Sequence, residues 1–371
     1  MNKVVHVISV SSGKDSQATL DLAVKRCPPG SVIPIFCDTD NEDAAVYEHL
    51  DYLERLYGIP IRRLKADFTD ELIAKRQYIA RDTRHRREYR RVSKTDRGGN
   101  PIYVKDREGR VRLFPVYAKD ADGNETREVI EYAPRQAVGW DSGRKVRWSN
   151  KAKRRALSVM YPSGNAFLDL CMWKGRFPSR KAQFCTEELK RNIAVEFQLE
   201  LIDQGYRVIS WQGVRRDESH NRRKAKLMER IGPKLWAFRP IVEWTAMQVI
   251  RLAVDQGHRL NRLYSEGCTR VGCMPCINCN KNELRETSQR RPHHLERVSD
   301  WERIVGMCSK RGFSTFMADS HPSQDRRVVF NDLRIESRIE WAMTTRGGKQ
   351  LDLLAQLDEP TACSSSYGLC E

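Results

Sequence analysis

Apolar positions near the start of the chain come in short blocks separated by helically spaced segments. Val4 to Val10 (VVHVISV) is a β-rich run suited to a buried strand, and Gln17 to Arg26 follows with a helical pattern. Ser31 to Cys37 (SVIPIFC) reads as a second strand, Glu42 to Tyr57 as a helix, and Ile59 to Leu64 as a third strand. The pattern resumes near Leu157, with a helix over Cys185–Asp203, a strand over Tyr206–Gln212 and a helix over Trp244–Asp255. A largely helical region is expected from His294 to Leu357. Strands alternating with helices predict an α/β fold: a doubly wound parallel sheet with helices on both faces. Ligands on such sheets bind at the carboxyl ends of strands. Ser11–Ser16, Asp38–Asp40 and Gly213–Ser219 fall there.

Between about Arg76 and Arg155 the texture changes. Arg76 to Arg91 (RQYIARDTRHRREYRR) is intensely basic. Ile102–Val104, Val111–Tyr117 and Glu128–Tyr132 read as strands, separated by the turn sequences Asp106-Arg107-Glu108-Gly109 and Asp122-Gly123-Asn124. A basic helix followed by an inserted β-meander is expected. Residues 76–155 hold 23 Lys and Arg against 11 Asp and Glu, so most of the chain's formal net charge of +17 lies there. Tyr89, Tyr103, Trp140 and Trp148 add stacking surfaces. The segment is either a solvated surface excursion or a lobe facing nucleic acid or phosphate.

No apolar run approaches the roughly 18 residues of a membrane span, so no membrane partner is expected. Met1-Asn2-Lys3 running into a strand lacks the form of a secretory leader. A cytoplasmic location is expected. There, eleven cysteines are not a disulfide framework, and their clustering points to metal or redox work.

Ser11-Ser12-Gly13-Lys14-Asp15-Ser16 joins a strand to a helix. Successive backbone N–H groups and a helix N-terminus in such a loop suit an anion. Gly13 permits close approach, the hydroxyls donate, and Lys14 adds charge. The loop lacks the G-x-x-x-x-G-K-[ST] spacing of a Walker A motif. Arg215 and Arg216, at a strand end, suit a second anion clamp, with ion pairs to Asp217 or Glu218 as the alternative. Lys190 is either a further phosphate ligand or a surface lysine. Asp38 and Asp40 could hold Mg²⁺ with nucleotide phosphates; Asp38 could equally cap the next helix or bond a ribose.

Cys268, Cys273, Cys276 and Cys279 lie within twelve residues, close enough to meet on one metal centre. Zinc usually takes two Cys pairs separated by a longer knuckle. The compact C-x2-C-x2-C run is closer to iron–sulfur spacing, which favours [4Fe–4S] with zinc as the alternative.

The loop SSGKDS resembles the S-x-G-x-D-S signature of the PP-loop superfamily, with Ser12 where Gly is commoner. Phe36-Cys37-Asp38-Thr39-Asp40, Cys185-Thr186-Glu187-Glu188-Leu189-Lys190 and Gly213-Val214-Arg215-Arg216-Asp217-Glu218-Ser219 resemble segments of its phosphoadenylyl-sulfate (PAPS) reductase-like branch. So does Arg270–Ile277. The resemblance spans about residues 4–70 and 157–320 and leaves the basic segment unexplained. It implies nucleotide or phosphate binding by Ser11, Ser12, Gly13, Lys14, Asp15, Ser16, Asp38, Thr39, Lys190, Gly213, Arg215, Arg216, Glu218 and Ser219. It also offers Cys185 as an alternative cluster ligand, and several relatives of this branch carry a [4Fe–4S] cluster. Cys363 and Cys370 loosely resemble the tail cysteine of sulfonucleotide reductases and are possible redox residues.

The expected division is a nucleotide-binding domain over 1–75 and 156–260, a basic lobe over 76–155, and a cysteine-bearing helical region over 261–371. The expected partner is ATP with Mg²⁺, or an adenylyl-sulfate. ATP would be cleaved to AMP and pyrophosphate, adenylylating an acceptor, with Lys14, Asp15 and Arg215 in the catalytic roles. A tRNA or DNA acceptor and a redox or sulfur-donor protein are further expected partners. Sulfite-releasing sulfonucleotide reduction is the second expectation. A non-catalytic nucleic-acid-binding or regulatory protein on this scaffold is the third.

Overall fold

The computed structural model describes residues 3–83, 87–119, 125–141, 143–145, 148–317, 323, 325–344 and 367. The chain divides into two compact units, Met1–Ala80 with Lys151–Glu371, and Arg81–Asn150.

The first unit is built on a six-stranded sheet. Its strands are β1 (Val4–Ser9), β2 (Val32–Asp38), β3 (Arg62–Lys65), β4 (Arg207–Trp211), β5 (Met228–Gly232) and β6 (Leu235–Phe238), in the order β5-β6-β4-β1-β2-β3. Every neighbouring pair is parallel except β5 with β6. Periodicity reaches the first four strands to within three residues at each end. The β5–β6 hairpin was not anticipated, although Gly232-Pro233-Lys234 between MERI and LWAF carries turn chemistry.

Two apolar clusters cover the sheet. One joins Ile8, Phe36 and Trp211 to Leu20, Ala23, Leu50 and Leu53 of the helices α1 (Lys14–Arg26) and α2 (Ala44–Tyr57). The other joins Val5, Val7, Ile35 and Val208 to Phe197 and Leu201 of α3 (Asn192–Asp203). Fully buried Val and Ile on both faces of β1 explain its unbroken apolar run. One π-helical turn, Glu187–Arg191, leads into α3. Helices α4 (Ala246–Asp255), α5 (Lys281–Arg290) and α6 (Pro292–Cys308) follow, then Arg326–Leu333 and Ile335–Ala342. None of the described helices is long and apolar enough to cross a membrane.

The chain winds outward through β1, β2 and β3, then returns beside β1 as β4. The reversal makes the β1/β4 border a topological switch point, where open α/β sheets bind ligands. Ser11–Ser16 leaves β1 there and Gly213–Ser219 leaves β4 there.

In the second unit, Arg87–Glu88 runs antiparallel to Arg144–Lys145, Arg91–Ser93 to Val138–Trp140, and Leu113–Lys119 to Glu125–Pro134. Bridges Thr95↔Pro101 and Lys105↔Val111 close two tight hairpins. Asp106 accepts from the N–H groups of Glu108 and Arg110 and sets the turn before Gly109, whose φ is 84°. The turn expected over Asp122–Asn124 lies outside the described residues.

Candidate functional site

The loop after β1 is held by its own hydroxyls. Ser16 Oγ donates to the Gly13 carbonyl at 2.8 Å and accepts from the Ser11 N–H at 3.1 Å. Ser12 has φ of 62°, in the left-handed region where a side chain is strained. That conformation accounts physically for glycine being commoner there. Ser12 is fully buried, and its Oγ accepts from Asn261 Nδ2 at 2.8 Å.

The loop from β4 closes against it. A Cβ on Gly213 would stand 2.9 Å from the Asp15 carbonyl oxygen and 3.1 Å from the Ser16 nitrogen. Only glycine admits this approach. Arg215 is 4% exposed, and its Nε lies 2.5 Å from Asp15 Oδ1 while Nη1 pairs with Asp217. Arg215 is thus anchored to the loop after β1, and the ion pair to Asp217, the alternative expectation for it, is present. Arg216 turns away, bonding Glu243 and the Ala225 carbonyl. Glu218 pairs with Arg222, and Ser219 is exposed.

Two tyrosines meet Lys14. Its backbone N–H donates to Tyr264 Oη at 2.9 Å, and its Nζ donates to Tyr367 Oη at 3.2 Å. The ammonium lies 5.1 Å and 4.7 Å from the two ring centroids. Tyr367 Oη donates in turn to the Thr269 carbonyl. Sequence reasoning missed both tyrosines, which lie 250 and 353 residues along the chain from Lys14. Cys363 and Cys370, on either side of Tyr367, lie outside the described residues.

The segment after β2 faces the cysteine-rich loop. Asp38 accepts from Tyr47 Oη at 2.8 Å and from the Asp40 N–H at 2.9 Å. It does not cap the next helix; Asp43 does, accepting from the Ala45 N–H. Asp40 is paired with Lys65 at 2.8 Å. Thr39 donates to buried Glu42 and lies 3.4 Å from Cys273 Sγ. Asn41 bonds the backbone of Met274 and Pro275, and Arg297 bridges Asn41 Oδ1 and the Met274 carbonyl. The cysteine loop is therefore riveted to the end of β2.

Lys190 lies among the cysteines and Glu42. The charges of Cys273, then of Glu42 and Cys276, raise its pKa against the opposing effect of burial. Arg270 faces the same two sulfurs, Cys273 and Cys276.

Burial pushes Cys273 and Cys279 up to about 12, with the charge of Cys276 adding to both. Cys185 is also raised, first by burial and then by Cys276. Cys268 stands apart. Burial pushes it to about 12 as well, but its charged neighbours are Glu283, Arg291, Glu266 and Asp43. It packs in the apolar cluster with Tyr264 and Met274. Cys185, Cys273 and Cys279 each feel the charge of Cys276, and buried Cys171 in turn feels that of Cys185. Cys185, Cys273, Cys276 and Cys279 have the soft donors and adjacent cations that suit an anionic thiolate cluster. Among the described residues, the sole trio of His, Cys, Asp or Glu ligand atoms within 4.8 Å of one another is Asp43, His293 and His294. Among the described residues, no three of the cysteine sulfurs lie within 4.8 Å of one another.

The chain is similar to several known proteins. A protein of Escherichia phage 186, described as an uncharacterized 37.8 kDa protein in the gpa 5' region, is 38% identical over 99% of this chain and 97% of its own length. Uncharacterized protein MJ0066 of Methanocaldococcus jannaschii is 28% identical over 34% of this chain and 26% of its own. The crystal structure of PAPS reductase from Candida auris, in a phosphate complex, aligns over 72% of this chain and 80% of that one, at 13% identity and a TM-score of 0.35. The phosphoadenosine phosphosulfate reductase domain model matches residues 5–279. This chain belongs to that domain family, within the PP-loop superfamily.

Proposed function

We propose that the chain binds ATP with Mg²⁺ at the β1/β4 switch point and cleaves it between the α and β phosphates. An oxygen of the acceptor attacks the α-phosphorus and gives up its proton to solvent. The bond to the bridging oxygen breaks, and pyrophosphate leaves. The free N–H groups of the Ser11–Ser16 loop and Lys14 hold the leaving group. Arg215, fixed by Asp15, offsets charge developing on the phosphoryl oxygens. The acceptor is read as a nucleic acid.

One observation carries this reading over reduction of a free sulfonucleotide. The second unit, Arg81–Asn150, carries 18 Lys and Arg against 11 Asp and Glu, and reduction of a small anion gives that surface nothing to do.

Cys185, Cys273, Cys276 and Cys279 are the ligands we propose for a [4Fe–4S] cluster. When bound, such a cluster supplies electron transfer or sulfur handling. Lys190 and Arg270 would balance the thiolate charge, and the Asn41–Arg297 bonds would hold the loop at the nucleotide site.

A second reading, sulfonucleotide reduction, is favoured by Tyr367. Its bond to Lys14 brings the chain three residues from Cys370 to the phosphate loop. In that case a tail thiolate attacks the sulfur of the sulfonucleotide, the nucleotide leaves as the phosphate, and an external thiol releases sulfite.

The deciding test is thermal stabilisation of anaerobically purified protein by ATP–Mg²⁺ and, separately, by PAPS. A ligand at 100-fold its Kd adds about 2.7 kcal/mol. Stabilisation by ATP alone, lost in Asp15→Ala, supports adenylylation; stabilisation by PAPS alone overturns it.

A further inference from the structure

We infer that the second unit is a platform for single-stranded nucleic acid, which it takes by stacking unpaired bases on exposed rings and by guanidinium contacts to phosphates. This rests on the reading of the acceptor as a nucleic acid and narrows it to strands with unpaired bases.

The first observation is how little the ribbons bury, although Trp148, expected to be a stacking surface, is itself buried at the edge of the unit. Between Tyr89 and Gly143 no described residue is buried. The unit is a set of two-stranded ribbons held by backbone ladders, and such ribbons alone are marginal in water. Large side chains stay in solvent along them: Trp140 is 66% exposed, Tyr132 64% and Tyr89 56%. Rings this open are available for stacking by bases.

The second observation is how rings and cations alternate. Arg91 pairs across the ladder with Trp140, and its Cζ lies 5.6 Å from the ring centroid. The indole therefore has a cation against it while most of its surface is open. On the second ribbon, Leu113 and Tyr132 share one face. The opposite face carries Phe114 with Arg112 and Arg135 at 5.1 Å and 4.6 Å from its ring. A single strand presents phosphates and base faces in alternation and complements both sets of groups. A duplex keeps its bases stacked on one another and leaves the rings unused.

The test is fluorescence anisotropy of the full chain with a labelled thymidine oligomer of about 20 nucleotides, longer than the roughly 4–16 that one platform covers. A duplex of equal length is the second arm. The single strand should bind at least about tenfold tighter than the duplex at equal salt, and its affinity should fall steeply as salt rises. Trp140→Ala and Tyr132→Ala should each weaken it roughly tenfold. Both side chains are exposed, so an unchanged melting temperature shows that the variants fold. Equal or tighter duplex binding, or affinity untouched by both ring substitutions, overturns the proposal. So does the lack of salt-dependent binding. Stabilisation by ATP is read without oligonucleotide, so failure of the nucleotide site and failure of the platform give different results.

Discussion

Arg215 reaches across the switch point to Asp15, Nε to Oδ1 at 2.5 Å, joining the loop of β4 to the loop of β1. Arg215 is 4% exposed, and its charge is matched by Asp15 and Asp217. A lysine has one ammonium and cannot reproduce the fork. Arg215→Lys should cost about 1–3 kcal/mol in urea unfolding, from lost charge-assisted bonds in a buried site. It should also weaken ATP binding at least about tenfold, measured by calorimetry. Unchanged affinity would remove Arg215 from the site.

Gly213 tests the same contact sterically. A methyl group there meets backbone atoms of Asp15 and Ser16, which cannot swing aside as a side-chain end could. Gly213→Ala should push the two loops apart, at a cost of about 1–3 kcal/mol. Nucleotide-induced stabilisation should vanish while far-ultraviolet circular dichroism stays unchanged. If ATP binds normally, the two loops do not form one cradle.

The strand–loop–helix frame was legible because its signals are local: a Val-rich run, a Ser- and Gly-bearing loop, then a helical pattern. What packs on the loop was not. Asn261 on Ser12 and Tyr264 on Lys14 are contacts about 250 residues apart, and no periodicity reports them. Asp38 had the composition of a helix cap, but the cap depends on where the helix begins, and Asp43 stands there. Residue spacing offered a thiol cluster but not the packing of each thiol. Cys268 fits the spacing and packs in the apolar cluster with Tyr264 and Met274, while Cys185, far off in sequence, feels the charge of Cys276.

The cysteines therefore make a discriminating set. Cys185→Ser and Cys276→Ser should each lower iron and acid-labile sulfide sharply in anaerobically reconstituted protein. Cys268→Ser should retain both, at a stability cost of about 1–2 kcal/mol for a hydroxyl in an apolar site. Loss of iron in Cys268→Ser with retention in Cys185→Ser would reverse the assignment. Zinc in place of iron, with no sulfide, would refute the cluster.

Ser12 carries strain that glycine would not. The left-handed conformation costs about 1–2 kcal/mol for a residue with a Cβ. Ser12→Gly relieves that but removes the acceptor of Asn261 Nδ2, which keeps its bond to the Ala45 carbonyl. The two effects oppose, and chemical denaturation should place the variant within about 1 kcal/mol of the parent. Ser12→Val keeps the strain, adds β-branching and loses the hydroxyl, so it should be clearly less stable. A large loss in Ser12→Gly would mean that the Asn261 bond outweighs the strain.

Glu302 provides the pH dependence. It is 3% exposed on α6, and its carboxylate accepts from the N–H groups of Phe316 at 2.6 Å and Ile335 at 3.0 Å. Burial, with Glu336 adding to it, pushes its pKa up to about 7. The folded protein thus holds this proton where the unfolded chain, with an ordinary glutamate, has released it. The stability so gained is complete below about pH 4 and is lost as pH rises through about 7, by up to about 3 kcal/mol. Glu302→Gln cannot ionise, so unfolding free energies measured from pH 4.5 to 8 should lack this component while other groups titrate as before. The same slope in both proteins would show that Glu302 is charged in the fold throughout that range.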